Sequence, residues 1–138
     1  MKKKIYIASD HAGYDMKLKL TNHFSSLIDL GTNSNESVDY PDFAHKLTTE
    51  VLQNDGSLGI LICGTGVGMS IAANRKDGIR AGLVSDAKIA RLIRQHNDAN
   101  VLVIPGRFME DEVAKNCVKT FVDTEFEAGR HKKRIEKI

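Results

Sequence analysis

The chain has 138 residues, a formal net charge of +2, two cysteines and no tryptophan. This length suits one domain, residues 1–138, with a core that needs neither disulfides nor metals. The near-balanced charge gives no case for nucleic-acid binding, two distant cysteines make no disulfide scaffold, and no apolar segment is long enough for a membrane span. We therefore expect a cytoplasmic protein with no nucleic-acid or membrane partner.

Five short apolar runs rich in β-branched residues predict strands, at residues 4–9, 27–30, 59–63, 79–84 and 100–104. Apolar residues at helical spacing predict helices at about residues 15–26, 42–54, 67–74, 86–95 and 110–123, and from about 125 onward. The stripe of the first helix consists of Met16, Leu18, Leu20, Phe24 and Leu27. The alternation of strands and helices predicts an α/β fold, a Rossmann-like three-layer sandwich with a five-stranded parallel sheet.

Polar residues follow four of the predicted strands. They are Ser9-Asp10-His11, Cys63-Gly64-Thr65, Ser85-Asp86 and Gly106-Arg107. In open parallel sheets, ligands bind beyond the carboxyl ends of the strands. We therefore expect the functional site at that edge of the sheet.

Gly64, Gly66 and Gly68 lie between a strand and the following helix, in the segment "CGTGVG". Glycines let the backbone turn tightly with exposed N–H groups, and the helix N-terminus adds a positive dipole. The loop is interpreted as a cradle for an anion; the alternative is a tight turn needed for packing alone. Three familiar phosphate motifs do not fit. The glycine spacing differs from the G-x-G-x-x-G of dinucleotide-binding sites, and the chain has no Gly-Lys-Ser/Thr triplet of a Walker A motif. Met69 occupies the position at which a Cys-x5-Arg phosphate loop needs arginine.

Cys63 ends the third predicted strand, directly before these glycines. A helix N-terminus can lower a thiol pKa, so the thiolate could act as a nucleophile or a general base. The alternative is a buried structural cysteine, which is how we interpret Cys117. A base beside an oxyanion cradle suits abstraction of a proton next to a carbonyl, because the enediolate needs preorganised N–H donors. Aldose–ketose isomerisation consists of that step and its reverse, and it requires no metal or cofactor.

Five segments carry the most distinctive patterns: "ASDHAG" (8–13), "DYPDFA" (39–44), "ICGTGVGMSIAANR" (62–75), "RQHNDANVL" (94–102) and "GRHKKRI" (129–135). Together they closely resemble the type B ribose-5-phosphate isomerases, a family that includes allose- and galactose-6-phosphate isomerases. The resemblance runs from residue 4 to about residue 135. It implies a metal-independent isomerase without a cofactor that interconverts ribose 5-phosphate and ribulose 5-phosphate through an enediolate. A 6-phosphohexose stays open as the substrate.

The resemblance implies that Cys63 moves the proton between C1 and C2 of the sugar phosphate, with Thr65 hydrogen-bonding near it. It implies that His96 donates the proton that opens the furanose ring, and that Asn97 binds the sugar beside it. Some members of the family use a glutamate just after the third glycine in place of the cysteine. Met69 occupies that position here, which puts this chain in the cysteine branch.

The resemblance also implies substrate contacts: the glycine loop as the anion hole, Asp10 at hydroxyls, His11 and the arginines at the phosphate, and Tyr40 lining the pocket. The full set is Asp10, His11, Tyr40, Gly64, Thr65, Gly66, Val67, Gly68, Asn97, Arg107, Arg130 and Arg134. Plainer alternatives exist for several of them. His96 could be a surface cap, Asp10 and His11 could simply close a strand, and the last two arginines could form surface ion pairs with Glu127 or Glu136.

His96 precedes the fifth predicted strand and so lies at its amino end, whereas Cys63 lies at the carboxyl end of the third. A five-residue strand is about 17 Å long, too far for one sugar phosphate to touch both. We therefore expect a homodimer or tetramer in which His96 comes from a second chain. Two other functions stay open at this point: a non-catalytic sugar-phosphate or nucleotide sensor, and a thiol-dependent phosphatase or redox enzyme.

Overall fold

The computed structural model describes residues 3–138. Five strands form one sheet: β1 (Ile5–Ser9), β2 (Leu27–Asp29), β3 (Leu58–Cys63), β4 (Ala81–Leu83) and β5 (Val101–Pro105). Their order across the sheet is β2-β1-β3-β5-β4, and every neighbouring pair is parallel. The predicted five-stranded parallel sheet of an α/β, Rossmann-like fold is confirmed.

Helices cover both faces of this sheet: α1 (Tyr14–His23), α2 (Tyr40–Gln53), α3 (Val67–Asn74), α4 (Ala87–Asn97), α5 (Asp111–Asp123) and α6 (Arg130–Ile135). One apolar layer joins α1, α4 and α5 to residues such as Ile7 and Ile60. The other joins α2 and α3 to residues such as Leu61 and Val103. Because successive strand residues point to opposite faces, β3 is buried along its whole length. Within residues 3–138, no helix combines the length and the apolarity needed to cross a bilayer.

Several predicted helix boundaries were wrong by one to five residues, and two of these errors have a clear reason in the backbone. Helix α4 continues to Asn97 and ends at Asp98, whose φ of 46° is left-handed. His96 therefore lies in the last turn of α4. The tail becomes helical only at Arg130, because Ala128 and Gly129 have φ values of 58° and 51°. Left-handed residues interrupt a right-handed helix, so residues 124–129 form an irregular segment.

The buried stripe of α1 differs from the predicted one. Met16 and Leu20 are buried as expected, but Leu18 is 39% exposed and Lys17 is only 1% exposed. The ammonium Nζ of Lys17 lies 2.8 and 2.6 Å from the two carboxylate oxygens of Asp29, at the end of β2. This ion pair offsets the desolvation of the ammonium and allows a lysine to occupy a core position.

We expect Asp29→Ala to lower the free energy of unfolding by about 3 kcal/mol, because the ammonium of Lys17 would stay buried without its partner. Asp123→Ala is the matched control. Its carboxylate pairs with the exposed Lys119 at 2.8 Å, and its loss should cost below about 0.5 kcal/mol. Urea unfolding followed by circular dichroism measures both changes. Equal effects would contradict a structural role for the buried pair.

Candidate active site

Cys63 lies where the loops after β3 and β5 meet, at the carboxyl edge of the sheet. It is in register with Pro105 on the neighbouring strand. The N–H of Gly106 donates to the carbonyl of Cys63 at 2.9 Å, and the N–H of Arg107 donates to that of Gly64 at 3.0 Å. These bonds hold Arg107 against the glycine turn. A Cβ added to Gly64 would lie 3.5 Å from Cδ of Arg107.

The turn after Cys63 requires glycine at two positions. Gly66 has a left-handed φ of 79°, and an added Cβ would approach Cδ1 of Leu83 to 2.5 Å. An added Cβ at Gly68 would lie 2.6 Å from Cε1 and Cζ of Tyr40. The ring of Tyr40, at the start of α2, therefore rests directly on the first turn of α3.

The backbone of this turn leaves several N–H groups without a hydrogen-bond acceptor within residues 3–138. Val67 begins α3, and its N–H donates to the hydroxyl of Thr65 at 3.2 Å. The N–H groups of Gly64, Thr65 and Gly66 have no acceptor among residues 3–138. Unpaired N–H groups at the start of a helix favour an anion, so the turn has the chemistry of the expected cradle.

The side chain of Cys63 lies in the apolar layer under the turn. It is 5% exposed and belongs to the same buried cluster as Tyr6 and Met69. Cys117 is also a free thiol, and it is fully buried in α5. Burial, together with the charge of Asp86, raises the pKa of Cys117 to about 11. Of the two thiols, only that of Cys63 adjoins the glycine turn.

Asp10 and His11 follow β1 at the same edge of the sheet. The carboxylate of Asp10 is nearly buried, and its Oδ1 accepts the N–H of Gly13 at 3.0 Å, at the start of α1. Nδ1 of His11 accepts the N–H of Val38 at 3.1 Å. A neutral His11 therefore carries its proton on Nε2 and can donate it to a ligand.

His11 and Arg107 line a cavity of about 350 Å³ between α1 and the loop after β5. Lys19 and Asn35 also line it, and neither was among the predicted site residues. They come from α1 and from the loop before α2, and only the fold brings these segments together. Lys19 is paired with Asp111 at 3.1 Å, which leaves His11 and Arg107 as the groups best placed to bind an anion.

The other predicted residues form a separate group. His96 is half-buried and Asn97 exposed in the last turn of α4, while Arg130 and Arg134 are exposed one turn apart on α6. These four residues and His131 line a second cavity, of about 320 Å³. Along residues 3–138, neither arginine forms an ion pair with a carboxylate, so the surface-pair alternative is not observed.

The two groups lie at opposite edges of the sheet. Arg80 directly precedes β4, and its Nε donates to the carbonyls of Asn97 and Asp98 at 3.1 and 3.0 Å. The end of α4 is therefore at the amino edge, whereas Cys63 is at the carboxyl edge. Strands β3 and β5 pair from Gly59 to Cys63, which spans roughly 13 Å. The predicted site residues of one chain thus form two separate groups, one at each edge of the sheet, and each group is a half-site of the predicted active site.

His131 was missed by sequence reasoning. Its ring stacks on that of His96, with centroids 4.3 Å apart and planes inclined by 17°. It is 5% exposed, and its Nε2 has no hydrogen-bond partner within residues 3–138, although Oε1 of Glu127 lies 3.8 Å away. Burial lowers the pKa of His131, and the charges of His96, Arg130 and Arg134 lower it further, against the opposing effect of Glu127. No local pattern distinguishes this histidine from its exposed neighbours, because its burial depends on the irregular segment before it.

His96, Glu127 and His131 also form a group whose potential metal-binding atoms lie within 4.8 Å of one another, the one such group among residues 3–138. The lone pair of an imidazole nitrogen lies in the plane of the ring. Two nearly parallel rings direct their lone pairs side by side rather than toward a common point. The geometry therefore fits stacking better than joint coordination of a metal ion.

Comparisons with known proteins all find sugar-phosphate isomerases of one family. A family model described as ribose/galactose isomerase matches residues 5–138. The chain is 44% identical to ribose-5-phosphate isomerase B of Escherichia coli, with 99% of this chain and 94% of that protein covered. The crystal structure of a ribose 5-phosphate isomerase from Thermotoga maritima has a TM-score of 0.96 at 51% identity, covering 99% and 97% of the two chains. A Mycoplasma genitalium ribose-5-phosphate isomerase B with bound ribulose-5-phosphate has a TM-score of 0.94 at 45% identity, covering 99% and 94%.

We expect Gly66→Ala to destabilise the protein by about 2 kcal/mol, because alanine is strained in a left-handed conformation and its Cβ would meet Leu83. Gly64→Ala is the control within the same turn. Its Cβ would make ordinary contacts of 3.5 Å, and the change should stay within about 0.5 kcal/mol. Thermal unfolding of the two variants measures the difference. A Gly66→Ala protein as stable as Gly64→Ala would contradict a conformational requirement at this turn.

Proposed function

The chain belongs to the ribose/galactose isomerase family, and we propose that it interconverts ribose 5-phosphate and ribulose 5-phosphate. The observation that carries the proposal is the Mycoplasma genitalium relative, which holds ribulose-5-phosphate on the same fold. The turn from Cys63 to Gly68 provides a thiol and free amide groups for the chemistry. The basic side chains of the two half-sites, His11 and Arg107 in one and Arg130 and Arg134 in the other, would bind the phosphate of the substrate.

The proposed reaction begins with the cyclic aldose. His96 donates a proton to the ring oxygen as the bond between C1 and that oxygen breaks, and the C1 hydroxyl loses its proton to water, which leaves an aldehyde. The thiolate of Cys63 then takes the proton from C2, and the electron pair moves onto the carbonyl oxygen to form an enediolate. The thiol returns the proton to C1, while a proton passes from the oxygen on C2 to that on C1, and the ketose results.

The amides of the glycine turn support the enediolate step. The N–H groups of Gly64, Thr65 and Gly66 are free of acceptors within residues 3–138, and they follow directly on Cys63. Preorganised donors of this kind stabilise an oxyanion because they need no reorientation when the charge forms, and one donor is worth about 10²- to 10³-fold in rate. The buried sulfur beside them would act in a site that excludes water, where such donors have their greatest effect.

The basic side chains support binding of a phosphate. Arg107 and His11 line one cavity, and Arg130 and Arg134 line the other. Arginine binds phosphate oxygens with charge-assisted hydrogen bonds that are stronger than neutral ones. In the proposed complex, the phosphate lies between the first cavity of one copy and the second cavity of another copy, and Asp10 contacts sugar hydroxyls. Both cysteines are free thiols, which is typical of a reducing compartment, so the proposed reaction is cytoplasmic.

The proposed active enzyme is a homodimer in which each site takes Cys63 from one copy and His96 from the other. The separation of the two half-sites supports it, because neither contains both groups. Apolar side chains exposed beside the glycine turn also support it. Val67 is 49% exposed and Ile71 57% exposed on one face of α3, next to the exposed ring of Tyr40. A second copy packed on this face would bury that surface.

Cys63→Ala should lower the conversion of ribose 5-phosphate to ribulose 5-phosphate by about 10³-fold, the usual worth of a positioned general base. Cys117→Ala is the matched control, because it removes the other thiol from a site far from the turn, and its turnover should stay near that of the wild type. Both rates are measured in EDTA, with allose 6-phosphate tested alongside. Near-normal turnover of Cys63→Ala would exclude its thiol as the base, and a wild type inactive on both sugars would contradict the proposed function.

A further inference from the structure

His131 is held against the last turn of α4 by the segment that precedes it. The backbone N–H of Glu127 donates to the carbonyl of Gln95 at 3.1 Å, one residue before His96. The N–H of His131 donates to the carbonyl of Ala128 at 3.0 Å and fixes the start of α6. The buried ring of His131 lies nearly flat against the ring of His96.

The carboxylate of Glu127 also lies near the ring of His96, with an oxygen within 4.8 Å of a ring nitrogen. Within residues 3–138 the nitrogens of His96 make no hydrogen bond, and the residue is half-buried beside a cavity. An imidazole ring rotates about two side-chain bonds, and proton donation requires that its N–H point at the ring oxygen. The stacked ring of His131 covers one face of the His96 ring and limits this rotation.

We propose that His131 is a positioning residue, which holds the ring of His96 by stacking in the orientation that protonates the sugar's ring oxygen. The inference rests on the proposed function of His96. His131 also lies between Arg130 and Arg134, so the short helix that carries the two phosphate-binding arginines carries the support for His96 as well. Burial lowers the pKa of His131, which favours the neutral form of its ring.

Two substitutions at residue 131 test whether stacking on His96 matters or whether any side chain that fills the same space is sufficient. His131→Phe keeps an aromatic face, and His131→Leu fills the site without one. Leucine should lower kcat for ribose 5-phosphate by about tenfold to 100-fold, while KM changes less than about threefold because the arginines remain. Phenylalanine should keep kcat within about threefold of the wild type. If the leucine variant does not fold, His131→Gln takes its place, because a flat amide also fills the site without an aromatic face.

A second readout separates ring opening from proton transfer. Ribulose 5-phosphate is an open chain, because its C5 oxygen carries the phosphate and cannot close a furanose ring. Exchange of its C1 hydrogen in D₂O, followed by proton NMR, therefore needs the base and the enediolate but not ring opening. We expect His131→Leu to retain this exchange within about threefold while net formation of ribose 5-phosphate falls.

Each result decides the matter. A leucine variant with wild-type kcat, a phenylalanine variant as impaired as the leucine one, or exchange that falls in step with isomerisation would overturn the positioning role. In these cases the wild type still isomerises and exchanges, so the proposed function stands. A wild type that does neither would overturn the proposed function, and this inference with it.

Discussion

The common direction of the five strands is the constraint on which the proposed site depends. Loops that follow the strands gather at one edge of a parallel sheet, and helix ends that lead into strands gather at the other. Cys63 therefore lies at the carboxyl edge and His96 at the amino edge, separated by the length of β3. A reaction that uses both groups would require two chains, which is the reason we propose an oligomer.

The glycine turn determines what the carboxyl edge can do. Its left-handed residue, Gly66, reverses the chain directly after Cys63, so a thiol and three free amides lie within four residues of sequence. The thiol is nearly buried in the layer between the sheet and α3. Low exposure of the thiol would strengthen the electrostatic effect of the neighbouring amides on a charge that forms beside it.

The strands and the cysteine–glycine turn were predictable because their signals are local. A strand such as residues 59–63 is apolar on both faces when helices cover both faces of the sheet. Three alternating glycines directly after such a strand indicate a tight turn into the next helix. The ion pair of Lys17 with Asp29 was not predictable, because a lysine is expected at the surface and its partner lies on another element. The stacking of His131 on His96 was missed for the same reason, since it depends on how an irregular segment returns to α4.

Co-expression of two inactive variants tests the central claim most directly. Cys63→Ala and His96→Ala chains with different affinity tags are produced together, and the mixed dimers are isolated with both tags. In a shared-site dimer, one of the two sites takes an intact Cys63 and an intact His96 from different chains, so the mixed dimer should regain about half of wild-type activity. Mixed dimers as inactive as either parent would contradict an active site assembled from opposite edges of two sheets.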